Sequence, residues 1–249
     1  MQRVADGEVD FCLTSVNHYL RARAQYGDLA ARFVAVVVQR SPMAGMVAAD
    51  SDIATAADLT GRRVAGAADE KLVAEYEAAL AARGLGPSVM VPVAYEVAPA
   101  ALGRGEVDVV PDFADLVPRI RRQAGVPVRA VPIGHEVYAS GLVAGDRLPD
   151  DLVERMRRAL GAALRLQRDE PEAGLDALAE RYPGVDRADA LEGWSLVMPN
   201  IFTGAAPGSM DPVRWQETIG HACTTHGLPV PAPETVYRLA PVTMASAPG

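Results

Sequence analysis

Hydrophobic positions along the first 145 residues come in short, unbroken runs. They read as strands at Asp10–Leu13, Phe33–Val38, Gly45–Ala49, Arg63–Ala65, Met90–Val93, Val107–Val110, Val128–Pro132 and Gly141–Ala144. Runs without polar alternation predict strands covered on both faces, the habit of buried parallel sheets. Helical patterns fill the gaps at Asn17–Gln25, Glu70–Arg83, Ala98–Gly103 and Leu116–Ala124, with Gly84 and Gly125 as stops. From Asp150 the strand pattern ends. Asp150–Asp169 carries Leu152, Met156, Leu160 and Leu164 on one stripe, and Leu175–Arg181 and Pro212–His226 continue a mostly helical last third. Asp211 before Pro212 is an N-cap and first-turn pair. The Pro-rich stretch from Pro229 reads as a surface strap or a frayed tail.

One four-residue echo organises the chain. Gly7-Glu8-Val9-Asp10 and Gly105-Glu106-Val107-Asp108 each close a helical stretch and lead into a short apolar strand. The pattern predicts an α/β chain of two similar lobes. Residues 1–50 are expected in lobe I, 51–139 in lobe II, and 140–249 in a mostly helical return to lobe I. The crossings are expected at Gly45–Asp50 and Ser140–Gly145, with a ligand cleft where the strand ends face one another.

Composition narrows the functions. With 249 residues, 49% of them hydrophobic and 22% charged, the chain is that of an ordinary globular protein. Its net charge of −8 and the absence of a basic block argue against nucleic-acid binding. No apolar run approaches the length of a membrane span. Two cysteines, Cys12 and Cys223, exclude a disulfide framework. His221 and His226 lack the i, i+4 spacing of a helical zinc pair, so no metal site is expected. No Gly-x-Ser-x-Gly elbow, P-loop or dinucleotide fingerprint occurs, and no cofactor is expected.

Four segments carry a resemblance: Gly7–Phe11, Asp58-Leu-Thr-Gly-Arg-Arg-Val64, Ala101–Asp108 and Gly208-Ser-Met-Asp-Pro-Val-Arg-Trp215. The chain resembles the two-lobed type II periplasmic-binding fold, in the branch of sulfonate, nitrate and thiamine-precursor binding proteins and the related thiamine-pyrimidine synthases. The resemblance implies an importer's solute-binding component: a monomer outside the cytoplasm that takes a small polar ligand and docks on an ABC permease. It also implies a strand–helix–strand before Gly7, which this sequence does not show. Lobe I is therefore expected to expose an unpaired sheet edge. The other reading on the same fold is a biosynthetic enzyme using His18.

Candidate site residues follow from both arguments. Val9–His18 resembles the synthase segment that ends in a histidine consumed as substrate, but Thr14 stands where that group holds pyridoxal phosphate on a lysine. Thr14 has no amine for a Schiff base. Thr14, Ser15 and His18 are therefore expected to line a pocket, with His18 as a hydrogen-bonding group. No residue is expected to be catalytic. Gln39, Arg40 and Ser41 follow the Phe33–Val38 strand, and Arg40 could take a ligand carboxylate or form a surface ion pair. Asp69 and Glu70 open a helix where relatives bind anions, and their charges disfavour an anion there. Asp112 and Phe113 suit an amine or a heterocycle, although Asp112 could equally cap a helix. Glu96, Tyr138 and Asn200 complete the set by position. The ligand is expected to be neutral, cationic or zwitterionic.

Overall fold

The computed structural model describes residues 1–67 and 70–239. In chain order, α1 (Gln2–Ala5), β1 (Phe11–Ser15), α2 (Val16–Tyr26) and β2 (Ala31–Val38) come first. Next are β3 (Met43–Ala48), β4 (Arg63–Ala65), α3 (Lys71–Ala82), β5 (Val89–Val91) and α4 (Ala98–Gly103). Then follow β6 (Val110–Phe113), α5 (Val117–Ala124), β7 (Val128–Pro132) and β8 (Ser140–Gly145). Four helices end the described chain: α6 (Asp150–Asp169), α7 (Pro171–Arg181), α8 (Arg187–Ile201) and α9 (Pro212–His226).

The strands divide into a first sheet of order β1-β8-β2, a second of order β6-β3-β7, and the pair β4-β5. The pair joins the second body through a bridge between Val64 and Val109. Both three-stranded sheets are antiparallel at every pairing, and only β4-β5 is parallel. The expectation of parallel pairing is thus corrected for these two sheets. An unbroken apolar run reports burial on two faces and says nothing of strand direction. In β2, Phe33 and Val36 pack beneath α2 and α9, while Val34 and Ala35 pack toward α6. β3, expected as the tail of lobe I, runs between β6 and β7 in the second sheet, and β8 lies in the first. The outer edge of β1 has no partner strand among the described residues, and Leu13 on it is 64% exposed.

Two elements were not foreseen as drawn. β6 begins at Val110, since Asp108 and Val109 before it donate their amides to the Arg63 carbonyl and Val109 forms only an isolated bridge with Val64. α8 carries no single apolar stripe, because it packs on several sides, against residues 114–116, α5, α7 and β2, and Pro199 stands in its last turn. The strap after α9 is seated: Val236 is fully buried, and Tyr237 bridges Phe33.

The echo has a shared cause. Gly7 and Gly105 both take positive φ, at 82° and 70°, ending their helices in the conformation glycine accepts. An arginine then clamps each turn. Arg147 bonds the Gly7 carbonyl and Asp10, and Arg63 bonds the Gly105 and Glu106 carbonyls and Asp108. Gly-Glu-Val-Asp is therefore a structural turn in each lobe, with an acid placed to hold its arginine.

Candidate functional site

The cleft lies where α2 and α9, packed on the first sheet, face α3 and the ends of the β3–β7 ladder. Ser15, Asn17, Tyr138, Thr218, His221 and Thr225 line it from one side. Ser41, Met43, Glu75, Phe113 and His135 line it from the other. The enclosed space is about 40 Å³, room for a few waters and for no metabolite.

Local sequence explains how the cleft residues are set. Ser15 ends β1 and caps α2, its Oγ accepting from the His18 amide at 3.1 Å, which turns Asn17 into the cleft. The Ser41 amide donates to the His135 carbonyl at 3.1 Å, extending the β3–β7 ladder to the cleft floor. The Tyr138 amide donates to Thr218 Oγ1 at 3.1 Å, and its hydroxyl accepts from the Asp211 amide at 2.9 Å. Arg214 staples both connections between the sheets, donating to the Gln39 carbonyl and to the Glu136 carbonyl while lying over the Tyr138 ring at 4.4 Å. The Gly208–Trp215 segment thereby clamps the connections between the sheets: Asp211 caps α9, Arg214 holds the connections, and Trp215 is buried beneath them.

The electrostatics are mild. The His135 and His221 rings meet edge to face with centroids 4.1 Å apart. Burial, then the nearby His221, pulls His135 down to about 4, and burial lowers His221 as well. Both imidazoles are neutral at pH 7 and offer one donor and one acceptor nitrogen each. Glu75 sits between Arg21 and His226, with both contacts at 3.3 Å.

The sequence-derived candidates divide. Ser15, Ser41, Phe113 and Tyr138 are brought together in the cleft. Thr14 lies on β1 opposite Gly141 and does not line it. His18 is exposed at the start of α2, its ring pulled down by partial burial and by Arg21. Gln39 is buried, with Nε2 on the Val36 and Ser209 carbonyls. Arg40 pairs with Glu136 at 2.8 Å, and its amide donates to the Asn200 carbonyl. Asp69 lies outside the described residues. Glu70 precedes α3 beside Gly66 and Tyr95, and Glu96 is exposed.

Asp112 has its own partners. It is 2% exposed, its Oδ2 accepting from the Tyr95 hydroxyl at 2.8 Å and from Arg119 at 3.0 Å, and its Oδ1 from the Phe113 amide at 2.9 Å. Burial pushes its carboxyl up, against the pull of those donors. Nothing in that arrangement leaves the carboxylate free for a ligand amine. Asn17, Glu75, His135, Thr218, His221 and Thr225 were not foreseen. Asn17 adjoined a candidate, but the others come from distant segments that only the tertiary fold joins.

The family model described as NMT1/THI5 like matches residues 1–173. The chain belongs to the NMT1/THI5-like family. No curated protein sequence matches it significantly. Among solved structures, the periplasmic aliphatic sulphonate-binding protein SsuA of Escherichia coli superposes with a TM-score of 0.65 at 17% identity, over 90% of this chain and 72% of that one. The alkanesulfonate-binding SsuA of Xanthomonas axonopodis pv. citri, bound to MOPS, gives 0.62 at 17% identity over 95% and 83%. The desulfurization enzyme DszB gives 0.58 at 17% identity over 91% and 82%. These likenesses establish the two-lobed α/β fold of type II periplasmic-binding proteins. The same fold carries both binding proteins and an enzyme, so function rests on the site.

Proposed function

We propose that this family member is a solute-binding protein that closes its two lobes over a small, polar, uncharged or cationic nitrogen-containing metabolite of the thiamine-pyrimidine type. The observation that carries the reading is the cleft lining. An amide, five hydroxyls and two neutral imidazoles supply donors and acceptors in both directions, beside the Phe113 ring and one carboxylate, and no arginine lines the cleft among the described residues. Such a surface suits a hydrogen-bonding heterocycle better than a sulfonate, which calls for charged or clustered donors. Within this reading, lobe II runs from the connection at 39–42 to the connection at 133–139, both held by Arg214. The protein works outside the cytoplasm as a monomer that hands its ligand to an ABC permease, as the binding proteins of this fold do. No helix of the described residues is long and apolar enough to cross a membrane.

The enzyme reading has less to stand on. His18 lies outside the cleft lining, and burial raises both thiols, Cys12 and Cys223, away from thiolate character. Titration calorimetry against aminopyrimidines, simple alkanesulfonates and nitrate tests the proposal, with product analysis of any ligand that binds. Aminopyrimidine binding without turnover is expected, and Asn17→Ala should weaken it roughly threefold to tenfold, the worth of one or two neutral hydrogen bonds. Tight binding of nitrate or a simple alkanesulfonate would overturn the ligand class. Turnover of a bound pyrimidine would overturn the binding-only role.

A further inference from the structure

Three of the four histidines of this chain gather on one seam, where α9 meets α3 and the end of the β3–β7 ladder. His221 and His226 stand on α9, which packs on the first sheet. His135 extends the second sheet through its bridge to Ser41, and Glu75 stands on α3 of the same body. Across this seam the bodies meet through the His135–His221 ring pair and the Glu75 contacts to His226 and Arg21, while away from it α8 touches both α5 and β2. With only about 40 Å³ left between the bodies, the imidazoles of His135 and His221 have little room for the water a cation needs.

We propose that this seam is an acid-released latch: protonation of His135 and His221 sets two cations against each other across it and parts the lobes. The latch rests on the solute-binding reading of the cleft and gives that site a regulator, holding it shut at neutral pH and opening it in acid.

The charges around the pair favour this direction. His135 faces His221 from α9, Arg83 from the end of α3, and the adjoining Glu136. Glu136 is largely exposed and already bound to Arg40, which blunts its help. His221 faces Glu75 from α3 and His226 from its own helix. Glu75 in turn is shared with Arg21 of α2, so one carboxylate serves several cations once the imidazoles charge.

The sign follows from linkage. Solvated imidazoles of the open form titrate near the ordinary value of 6.5, whereas closure pulls His135 to about 4 and lowers His221. A group that holds its proton more weakly when closed favours closure above its open-state value, and that preference drains away as the pH falls toward the closed-state value. Between those limits the closed-to-open ratio should drop by up to about tenfold per pH unit for each histidine.

Small-angle X-ray scattering of the ligand-free protein from pH 7.5 to 4.5 reads the ratio directly, with circular dichroism at each step to report folding. The expected result is an increase in the radius of gyration below pH 6.5 with helicity unchanged, and its loss in the His135→Asn/His221→Asn chain. Scattering that stays flat in the wild type, or opens equally in the double variant, overturns the latch. Should the double variant not fold, His221→Asn alone decides: a shallower pH response supports the latch and an unchanged one overturns it. Calorimetry at pH 7.5 and at pH 5.5 keeps the two readings apart. Failure of every pyrimidine to bind at both pH values while acid still opens the lobes strikes the ligand assignment alone, and a bound pyrimidine with flat scattering strikes the latch alone.

Discussion

Replacing Trp215 by alanine should destabilise the protein by about 3–5 kcal/mol, the usual range for emptying a buried tryptophan site. Trp215 is fully buried and is the hub of the aromatic cluster in lobe I. Phe33 of β2 lies 5.0 Å from it, Tyr138 lies 5.2 Å away, and Tyr237 of the strap stacks on it at 5.2 Å with the rings 11° from parallel. Removing the indole unseats three elements at once: the strap, the edge of the first sheet, and the connection that carries Tyr138 into the cleft. Its Nε1 has no hydrogen-bond partner among the described residues, so Trp215→Phe deletes an unpaired donor while keeping a ring. Phenylalanine should therefore be much the milder change. Urea unfolding of the two variants checks this, and an alanine cost under about 1 kcal/mol would contradict the packing described.

The cluster also shows what a reader of the sequence can and cannot extract. Most strands and helices are legible, because an apolar run such as Phe33–Val38 and a stripe such as that of Asp150–Asp169 are local signals. Pairing direction is not local. β8 and β3 run against their neighbours because each is a single strand inserted between two others, and nothing in Gly141–Ala144 or Gly45–Ala49 encodes that. α8 was illegible for a related reason: touching two bodies, it needs no amphipathic stripe.

Site residues follow the same division. Phe113 lines the cleft from the carboxyl end of β6, where strand ends of α/β lobes face such clefts, and Tyr138 lines it from the connection into β8. Glu75 sits mid-helix, where a glutamate reads as a solvated face, and only the approach of α9 makes it a cleft residue. Asp112 misled in the opposite sense. Its position suggested a ligand carboxylate or a helix cap, but Arg119 of α5 and Tyr95 of the segment before α4 both bond to it, so the acid is satisfied within its own lobe. The resemblance segments are mainly architectural: Gly7–Asp10 and Gly105–Asp108 are clamped turns, and Gly208–Trp215 secures the connections between the sheets.

Gly103→Ala should be the most damaging single methyl that can be added to lobe II. A Cβ at Gly103 would lie 2.0 Å from the carbonyl oxygen of Ala124 and 3.0 Å from its carbonyl carbon, both of them backbone atoms. Side chains can swing away from an intruding methyl, but the last turn of α5 cannot without dragging its αL cap at Gly125 and the start of β7. Overpacking of a close-packed site costs typically about 1–3 kcal/mol, and a backbone obstacle puts this one at the upper end. Gly105, two residues on, is the control. It has open space where its Cβ would go, so Gly105→Ala meets only the penalty of a positive φ, about 1 kcal/mol. The two glycines of one Ala-Leu-Gly-Arg-Gly-Glu-Val-Asp segment thus serve different ends: Gly103 lets α4 approach α5, and Gly105 turns the chain so that Arg63 can grip it. Urea midpoints should fall further for Gly103→Ala than for Gly105→Ala. The reverse order would mean that α4 and α5 leave room for a methyl at Gly103.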